Sequence, residues 1–265
     1  MAPDRGQDTK RYFDRIASAR EADTWARNVD KWDAIEPLFA AVPPGARVIE
    51  CGAGTGMYTI HMLQRGLRVT AVDLSEQALQ VARQIAASRG VDNNLSTIQG
   101  AFERVARQAG QSFDVAAYFK TLHHFPSLVA VRQALAAGFG ALKPGGLLLG
   151  LEPNGACPLW RPGLLLEGRH PSGKGSVWEM ERGLLRITER NLARLFRSLP
   201  GARWEIRPKY LVPASLGRRI PRLAERLNRF LARTPLAQYA FNLTFRVWKE
   251  ARGGCYQPSP DGSAT

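Results

Sequence analysis

Cysteine is scarce in this chain of 265 residues, in which only Cys51, Cys157 and Cys255 occur. Cysteines so few and so far apart exclude a disulfide framework and a cysteine-based zinc site. The sequence therefore predicts a protein of a reducing compartment that holds no metal.

Long hydrophobic runs are missing as well. No segment approaches the roughly 18 apolar residues of a membrane-spanning helix, and the first residues lack the apolar core of a signal peptide. We therefore expect a soluble, cytoplasmic protein. The hydrophobic fraction of 45% beside 23% charged residues is ordinary for a globular chain, which excludes a disordered or collagen-like protein.

Acidic residues are fewer than basic residues in this chain. The 37 Lys and Arg against 23 Asp and Glu give a formal net charge of +14. Residues 1–154 carry 17 basic and 15 acidic residues, whereas residues 155–265 carry 20 and 8, so +12 of the excess is C-terminal. This asymmetry indicates an anionic partner, which leaves open a membrane surface, a nucleic acid or a phosphorylated substrate.

Short apolar runs alternate with helical stretches between residues 47 and 151. Such alternation predicts an α/β fold with right-handed crossovers and a mostly parallel sheet. The predicted strands are residues 48–50, 68–72, 96–99, 113–118, 146–151, 204–212 and 241–247. The predicted helices are residues 55–64, 75–88, 127–142 and 187–199.

The ends and connections divide the chain further. Residues 1–40 are predicted to form an N-terminal helical cover, ahead of a main domain over residues 41–252. Within that domain, residues 154–186 are rich in Gly and Pro and predict a lid, while residues 215–236 form a basic insert. The tail, residues 253–265, is expected to be disordered.

A glycine-rich turn follows the first predicted strand. The segment Glu50-Cys51-Gly52-Ala53-Gly54-Thr55-Gly56 leads from a strand into a helix, so its backbone can approach a ligand closely beside unpaired N–H groups. Asp73 stands at the end of the next strand, where a carboxylate can accept hydrogen bonds from a ribose diol. The combination predicts a nucleotide-type site; the alternative is a tight turn with a capping Asp.

This pattern resembles the class I S-adenosylmethionine-dependent methyltransferases over about residues 40–155. Glu50 and the three glycines match the family's first motif, Asp73 its ribose-binding acid, and residues 142–146 (LKPGG) the turn before its fifth strand. The rival is a nicotinamide-dependent oxidoreductase, whose G-x-G-x-x-G fingerprint would need Gly at the position of Met57. The spacing therefore favours the methyltransferase and a Rossmann-like, doubly wound, seven-stranded sheet.

The resemblance implies S-adenosylmethionine as cofactor and S-adenosylhomocysteine as product. Many members carry an acidic residue just after the glycine that matches Gly100, where this chain has Ala101, so the Ala101 backbone with Phe102, or Glu103, takes over the adenine contact. The implied cofactor-binding residues are Glu50, Gly52, Ala53, Gly54, Gly56, Asp73, Leu74, Ala101, Phe102 and Tyr118.

Two histidines follow the fourth predicted strand, at the sheet edge where ligands bind. Histidine suits a general base near neutral pH, and resemblance to small-molecule O-methyltransferases gives this role to His124, with His123 beside it. The alternative is that both cap the next helix or line the cofactor pocket. No Asp or Asn cluster predicts a catalytic metal here. The acceptor site is predicted to include Glu152, Asn154, His170 and Trp178.

A basic amphipathic helix is predicted over residues 218–234. It carries arginines at helical spacing on one side and apolar residues on another, namely Arg222, Arg226, Arg229 and Arg233 with Leu223, Leu227, Phe230 and Leu231. The segment resembles inserts in bacterial methyltransferases of lipid, quinone and natural-product pathways. We expect peripheral attachment to the inner, anionic face of a membrane; the alternative is an ordinary helix packed on the core.

Together these features predict metal-independent methyl transfer to an oxygen of a small or lipid-like acceptor. An RNA methyltransferase using the basic region as a phosphate footprint is the alternative, although the apolar stripe argues against nucleic acid. A third hypothesis is a binding protein without activity. The identity of the acceptor and the oligomeric state do not follow from the sequence.

Overall fold

The computed structural model describes residues 35–159, 182–210 and 221–250. Its strands are β1 (Arg47–Cys51), β2 (Arg68–Asp73), β3 (Leu95–Gln99), β4 (Phe113–Phe119), β5 (Leu142–Pro153), β6 (Ala202–Lys209) and β7 (Asn242–Lys249). The α-helices within the described residues are α1 (Met57–Gln64), α2 (Glu76–Ser88), α3 (Phe102–Ala109), α4 (Leu128–Ala141), α5 (Glu189–Arg197) and α6 (Pro221–Leu231). Short 3-10 helices cover Glu36–Phe39, Asp92–Asn94, Leu122–His124, Arg182–Arg186 and Pro235–Tyr239.

The strands form one sheet in the order β3-β2-β1-β4-β5-β7-β6. Strands β1 to β5 run parallel, and β7 is antiparallel to both β5 and β6. The predicted α/β, mostly parallel, seven-stranded fold is confirmed. Because the strand order reverses between β1 and β4, the carboxyl ends of these two strands open a crevice where open α/β sheets bind ligands.

Helices cover both faces of the sheet, because successive side chains of each buried strand point to opposite sides. One core contains Ile49 and Leu148 with α3, α4 and α5, and the other contains Val48 and Leu149 with α1, α2 and the 3-10 helix Glu36–Phe39. Each such side chain, when fully buried, stabilises the fold by roughly 1.5–3 kcal/mol. The two cores fix the relative positions of the strand ends that form the site.

Two elements differ from the sequence-based expectation. Helix α3 was not predicted, because only Phe102, Val105 and Ala106 of this short polar segment are buried. Strand β5 begins at Leu142, inside the segment predicted as a turn. The pairing with β4 shifts between Phe113↔Leu142 and Val115↔Leu147, so the extra residues of LKPGG are accommodated as an irregularity within the strand.

Several predicted segments lie outside the described residues. These are residues 1–34 of the N-terminal cover, most of the predicted lid with His170 and Trp178, residues 215–220 of the basic insert, and the tail, residues 253–265. None of the helices that the model describes has both the length and the hydrophobicity that crossing a bilayer requires.

Candidate cofactor and active site

The turn between β1 and α1 is built from three glycines with left-handed backbones, at φ +68° for Gly52, +55° for Gly54 and +84° for Gly56. A Cβ at Gly52 would lie 2.1 Å from Thr121 Oγ1, and one at Gly56 would lie 2.8 Å from Ala82 Cβ. These two glycines therefore permit close packing. At Gly54, by contrast, no described atom would come within 4 Å of a Cβ, so Gly54 is where the turn faces open space.

Asp73, at the end of β2, is joined to this turn by hydrogen bonds. Gly54 N–H donates to Oδ2 at 2.8 Å, and Ser75 N–H donates to Oδ1 at 2.9 Å. A carboxylate offers about four acceptor positions, so the same group can also accept hydroxyl hydrogens of a ribose. Asp73 thus positions Gly54 and presents a carboxylate at the mouth of the crevice.

Glu50 is buried at the end of β1, where its Oε2 accepts a 2.5 Å hydrogen bond from Thr59 Oγ1. Burial raises the pKa of Glu50 from 4.5 to about 8; the Thr59 hydrogen bond opposes this rise and the nearby charge of Asp73 adds to it. The carboxyl is therefore mostly protonated at neutral pH. A cationic group bound beside it would favour the ionised form.

Replacing Glu50 with Gln should remove a pH dependence of stability. Because the folded protein holds the proton up to a pKa of about 8, stability is highest below the unfolded value of 4.5 and is lost as the pH rises through about 8. Between about pH 5.5 and about pH 8.5 we expect the cofactor-free protein to lose roughly 3 kcal/mol more than the Glu50→Gln variant.

Urea denaturation at the two pH values measures this difference. The control is Glu250→Gln, at an exposed glutamate, which should follow the wild-type protein. Identical pH dependence of the wild-type protein and Glu50→Gln would contradict the protonated state of Glu50.

Glu152, at the end of β5, is completely buried and clamps the 3-10 turn Leu122–His124. Its Oε1 accepts the N–H groups of Thr121 at 2.7 Å and Leu122 at 2.8 Å, and its Oε2 lies 2.7 Å from His123 Nδ1. Three of the carboxylate's interactions therefore fix the first residues after β4 and the His123 ring.

His124 is half-buried, and its ring centroid lies 3.9 Å from that of His123. Burial, and next the charge of His123, lower the pKa of His124 well below 6.5. The imidazole is therefore neutral at pH 7 and can accept a proton. The side-chain cap of α4 is Ser127, whose Oγ accepts the N–H of Ala130, so the alternative in which the histidine side chains cap that helix is wrong.

The segment that carries the glycine loop, Asp73 and the histidine turn matches a known protein family. A family model described as "Methyltransferase domain" matches residues 48–146, which span β1 to the start of β5. Residues 48–146 therefore form a methyltransferase domain of the class I, S-adenosylmethionine-dependent type. The oxidoreductase alternative, which Met57 already disfavoured, is thereby set aside.

Relatives of the methyltransferase domain include the ubiquinone biosynthesis O-methyltransferase of Idiomarina loihiensis, 38% identical over 120 residues, which are 45% of this chain and 47% of that protein. A second is the S-adenosyl-L-methionine-dependent Diels-Alderase of Talaromyces variabilis, 33% identical over 109 residues, 41% of this chain and 36% of that protein. The chain thus matches less than half the length of these curated relatives. The solved SAM-dependent methyltransferase of Methanosarcina mazei shares the fold, with a TM-score of 0.57 at 17% identity over 81% of this chain and 97% of that one.

The Tyr58 side chain of the methyltransferase domain is compatible with a bound polar ligand such as S-adenosylmethionine. This tyrosine is buried on the first turn of α1, its ring centroid lies 4.9 Å from that of Phe119, and its hydroxyl has no hydrogen-bond partner among the described residues. Burial, with the charges of Glu152 and Glu50, raises its pKa, so the hydroxyl remains a donor. A buried donor without a partner costs about 1–3 kcal/mol, which a polar ligand in the crevice would offset.

Sequence reasoning missed Tyr58, because an aromatic residue in an apolar helix is typical of a core position. Its place two residues after Gly56, inside the first turn of the helix that follows the loop, is the signal that would have found it.

Lys120 was also missed. It follows β4 with a left-handed backbone at φ +56°, its N–H donates to Leu151 O at 2.8 Å, and its Nζ donates to Asn242 Oδ1. A non-glycine residue in this conformation is uncommon and occurs often at functional sites. Lys120 adds a cation to the sheet edge that carries the histidines.

Two predicted site residues use their polar atoms within the fold. Tyr118 donates its hydroxyl to Ala134 O at 2.8 Å from the buried core. Asn154 donates through Nδ2 to Gln238 O at 2.8 Å and Ala240 O at 2.9 Å, which joins the end of β5 to the 3-10 helix Pro235–Tyr239. Their direct part in ligand binding stays a prediction.

The remaining predicted cofactor contacts lie along the same sheet edge. Leu74 and Ala101 are exposed immediately after β2 and near the end of β3, respectively, whereas Ala53 and Phe102 are buried. Ala101 precedes α3 without a side-chain cap, so its backbone is the polar group available at that position. Their contacts with the adenine remain predictions.

Proposed function

We propose that this protein transfers the methyl group of S-adenosylmethionine to an oxygen atom of a small or lipid-like acceptor, and that His124 takes the hydroxyl proton. The observation that carries the proposal is the His124 imidazole in contact with the His123 ring, which Glu152 holds, three residues beyond the Thr121 side chain that abuts Gly52. The base and the cofactor loop thus belong to adjacent strand ends. The O-methyltransferase names of the relatives agree with an oxygen acceptor.

S-adenosylmethionine, when bound, would supply an electrophilic methyl group; its transfer would form an O–C bond, break the C–S bond and leave the electron pair on sulfur. The chain must hold the acceptor in line with that methyl group and remove its proton. Asp73 and the Gly54 backbone hold the cofactor. Glu152 acts as a positioning residue, because it fixes the Leu122–His124 turn through three of its interactions.

Gly54→Val and Asp73→Ala should each weaken S-adenosylmethionine binding at least tenfold, about 1.4 kcal/mol. Valine at Gly54 would strain a backbone at φ +55° and fill the open space above it. Alanine at position 73 removes both the ribose acceptor and the bond that orients Gly54. Isothermal calorimetry with the folded variants measures the two affinities.

The matched control is Gly90→Val. Gly90 has φ +66° and also lacks any described atom within 4 Å of a Cβ, but it lies after α2, away from the crevice. It therefore reports the cost of backbone strain alone and should leave the affinity within about threefold. Unchanged affinity in both Gly54→Val and Asp73→Ala would refute the cofactor site.

A further inference from the structure

The helix α6 and the following 3-10 helix Pro235–Tyr239 expose an unusual amount of apolar side chain. Phe230 is 66% exposed, Leu223 51% and Leu236 52%. Of the eleven large hydrophobic side chains exposed in the described part of the chain, five lie in this segment: Leu223, Leu227, Phe230, Leu236 and Tyr239. We call these five residues and the neighbouring arginines the apolar-basic surface.

Helix α6 is barely packed against the described part of the domain. Among residues 222–231, only Ala224 is buried. Helix α5 has a similar basic, amphipathic sequence, yet it buries Leu192, Leu195 and Phe196 in the core. The ordinary interpretation of a packed surface helix therefore describes α5 and does not describe α6.

The charges of the surface are cationic. Residues 222–233 contain four arginines and one acidic residue, Glu225, which gives +3. Glu225 lies 4.0 Å from Arg229, and both side chains are largely exposed, so this ion pair contributes little. The arginines are Arg222, Arg226, Arg229 and Arg233.

We propose that the apolar-basic surface docks the protein onto an anionic lipid bilayer. Helix α6 is about 16 Å long, roughly half the thickness of the hydrocarbon core, so it would lie in the plane of the interface with its leucines and Phe230 inserted. Arginines beside the inserted side chains would meet the lipid phosphates. This inference goes beyond methyl transfer and does not depend on it.

The observations favour a bilayer over two other occupants. A second copy of the chain would bring this cationic helix against an identical one, which like-charge repulsion opposes. RNA would neutralise the arginines but would leave Phe230 and the leucines without an apolar partner. A bilayer satisfies both the charged and the apolar side chains.

The experiment is co-sedimentation of the full chain with vesicles of phosphatidylglycerol mixed with phosphatidylcholine, and with vesicles of phosphatidylcholine alone. We expect binding to the anionic vesicles that weakens as salt is raised. Each arginine should contribute about fivefold to the partition coefficient, so the triple variant Arg222→Gln/Arg226→Gln/Arg229→Gln should lose about 100-fold.

The matched control is the triple variant Arg190→Gln/Arg194→Gln/Arg197→Gln on α5. These arginines are exposed and have the same spacing and the same total charge, but their helix packs its apolar residues in the core. The control should retain most of the binding, because its charges do not flank inserted side chains. Equal losses in the two triple variants would overturn the proposal in favour of attraction by net charge alone.

A second variant, Leu227→Ser/Phe230→Ser, keeps every charge and tests insertion. It should lose at least about tenfold in binding. Both side chains are exposed, so thermal unfolding should stay close to that of the wild type. Failure of the wild-type protein to co-sediment with anionic vesicles would overturn the proposal. A wild-type dimer that the serine variant abolishes would also overturn it, in favour of a second copy of the chain. So would a wild-type protein that binds an RNA oligonucleotide in a salt-sensitive way but does not bind vesicles, if the α6 arginine variant loses the RNA binding.

Discussion

His124→Ala is expected to lower kcat for methyl transfer by 10² or more, while the affinity for S-adenosylmethionine changes by less than about threefold. The imidazole is removed from the turn that follows β4, whereas the glycine loop and Asp73 stand on β1 and β2. Loss of the proton acceptor therefore acts on the chemical step and spares cofactor binding. Single-turnover rates, measured with an extract fraction that contains the methyl acceptor, report the chemical step. Calorimetry reports the affinity for S-adenosylmethionine.

The pH profile gives a second readout of the same residue. The base works in its neutral form, and burial with the charge of His123 places the pKa of His124 well below 6.5. As the pH falls, activity should therefore persist below 6.5 and decline only when the lowered pKa is crossed. The His124→Ala variant should lose this acidic limb.

His61→Ala is the control, because His61 is a partly exposed histidine on α1 and should leave kcat within about twofold. Full activity of His124→Ala would contradict the assignment. If His123→Ala alone abolished turnover, the base would be His123 instead, and an acceptor that needs no base would leave both variants active.

The local part of the site could be predicted because it depends on spacing within one segment. Gly52, Gly54 and Gly56 recur between a strand and a helix, and Asp73 ends the next strand, so parallel pairing of β1 and β2 brings them together. Tyr58 escaped prediction, since what marks it is a buried hydroxyl with no partner among the described residues rather than any motif.

Contacts between distant segments were harder to predict. Both Glu152 and His123 were candidate site residues, but their hydrogen bond joins positions 29 apart in sequence and depends on the pairing of β4 with β5. That pairing includes the register shift near Phe113, which no periodicity reveals. The sequence therefore suggested the members of the site and not their connection.

Sequence patterns alone also do not show whether the apolar side of an amphipathic helix is buried or exposed. Helices α5 and α6 carry the same combination of arginines and spaced apolar residues. In α5, Leu192 and Phe196 are buried, whereas in α6 Leu223 and Phe230 are exposed. The difference lies in what surrounds each helix: α5 packs its apolar side against side chains of β6 and β7, whereas Ala224 is the one buried residue among the described side chains of α6.

Glu152→Ala should lower the free energy of unfolding by about 3–5 kcal/mol. The substitution removes the Glu152 partner of two backbone N–H groups and of the His123 ring in a buried site. Glu152→Gln keeps a carbonyl oxygen for the Thr121 and Leu122 N–H groups, so its loss should be about 1–2 kcal/mol. Urea denaturation with an unchanged m-value measures both. The exposed Glu250→Ala variant is the control and should change stability by no more than about 0.5 kcal/mol. A loss below about 1 kcal/mol in Glu152→Ala would show that the clamp on the Leu122–His124 turn is dispensable, and the positioning role of Glu152 would fail with it.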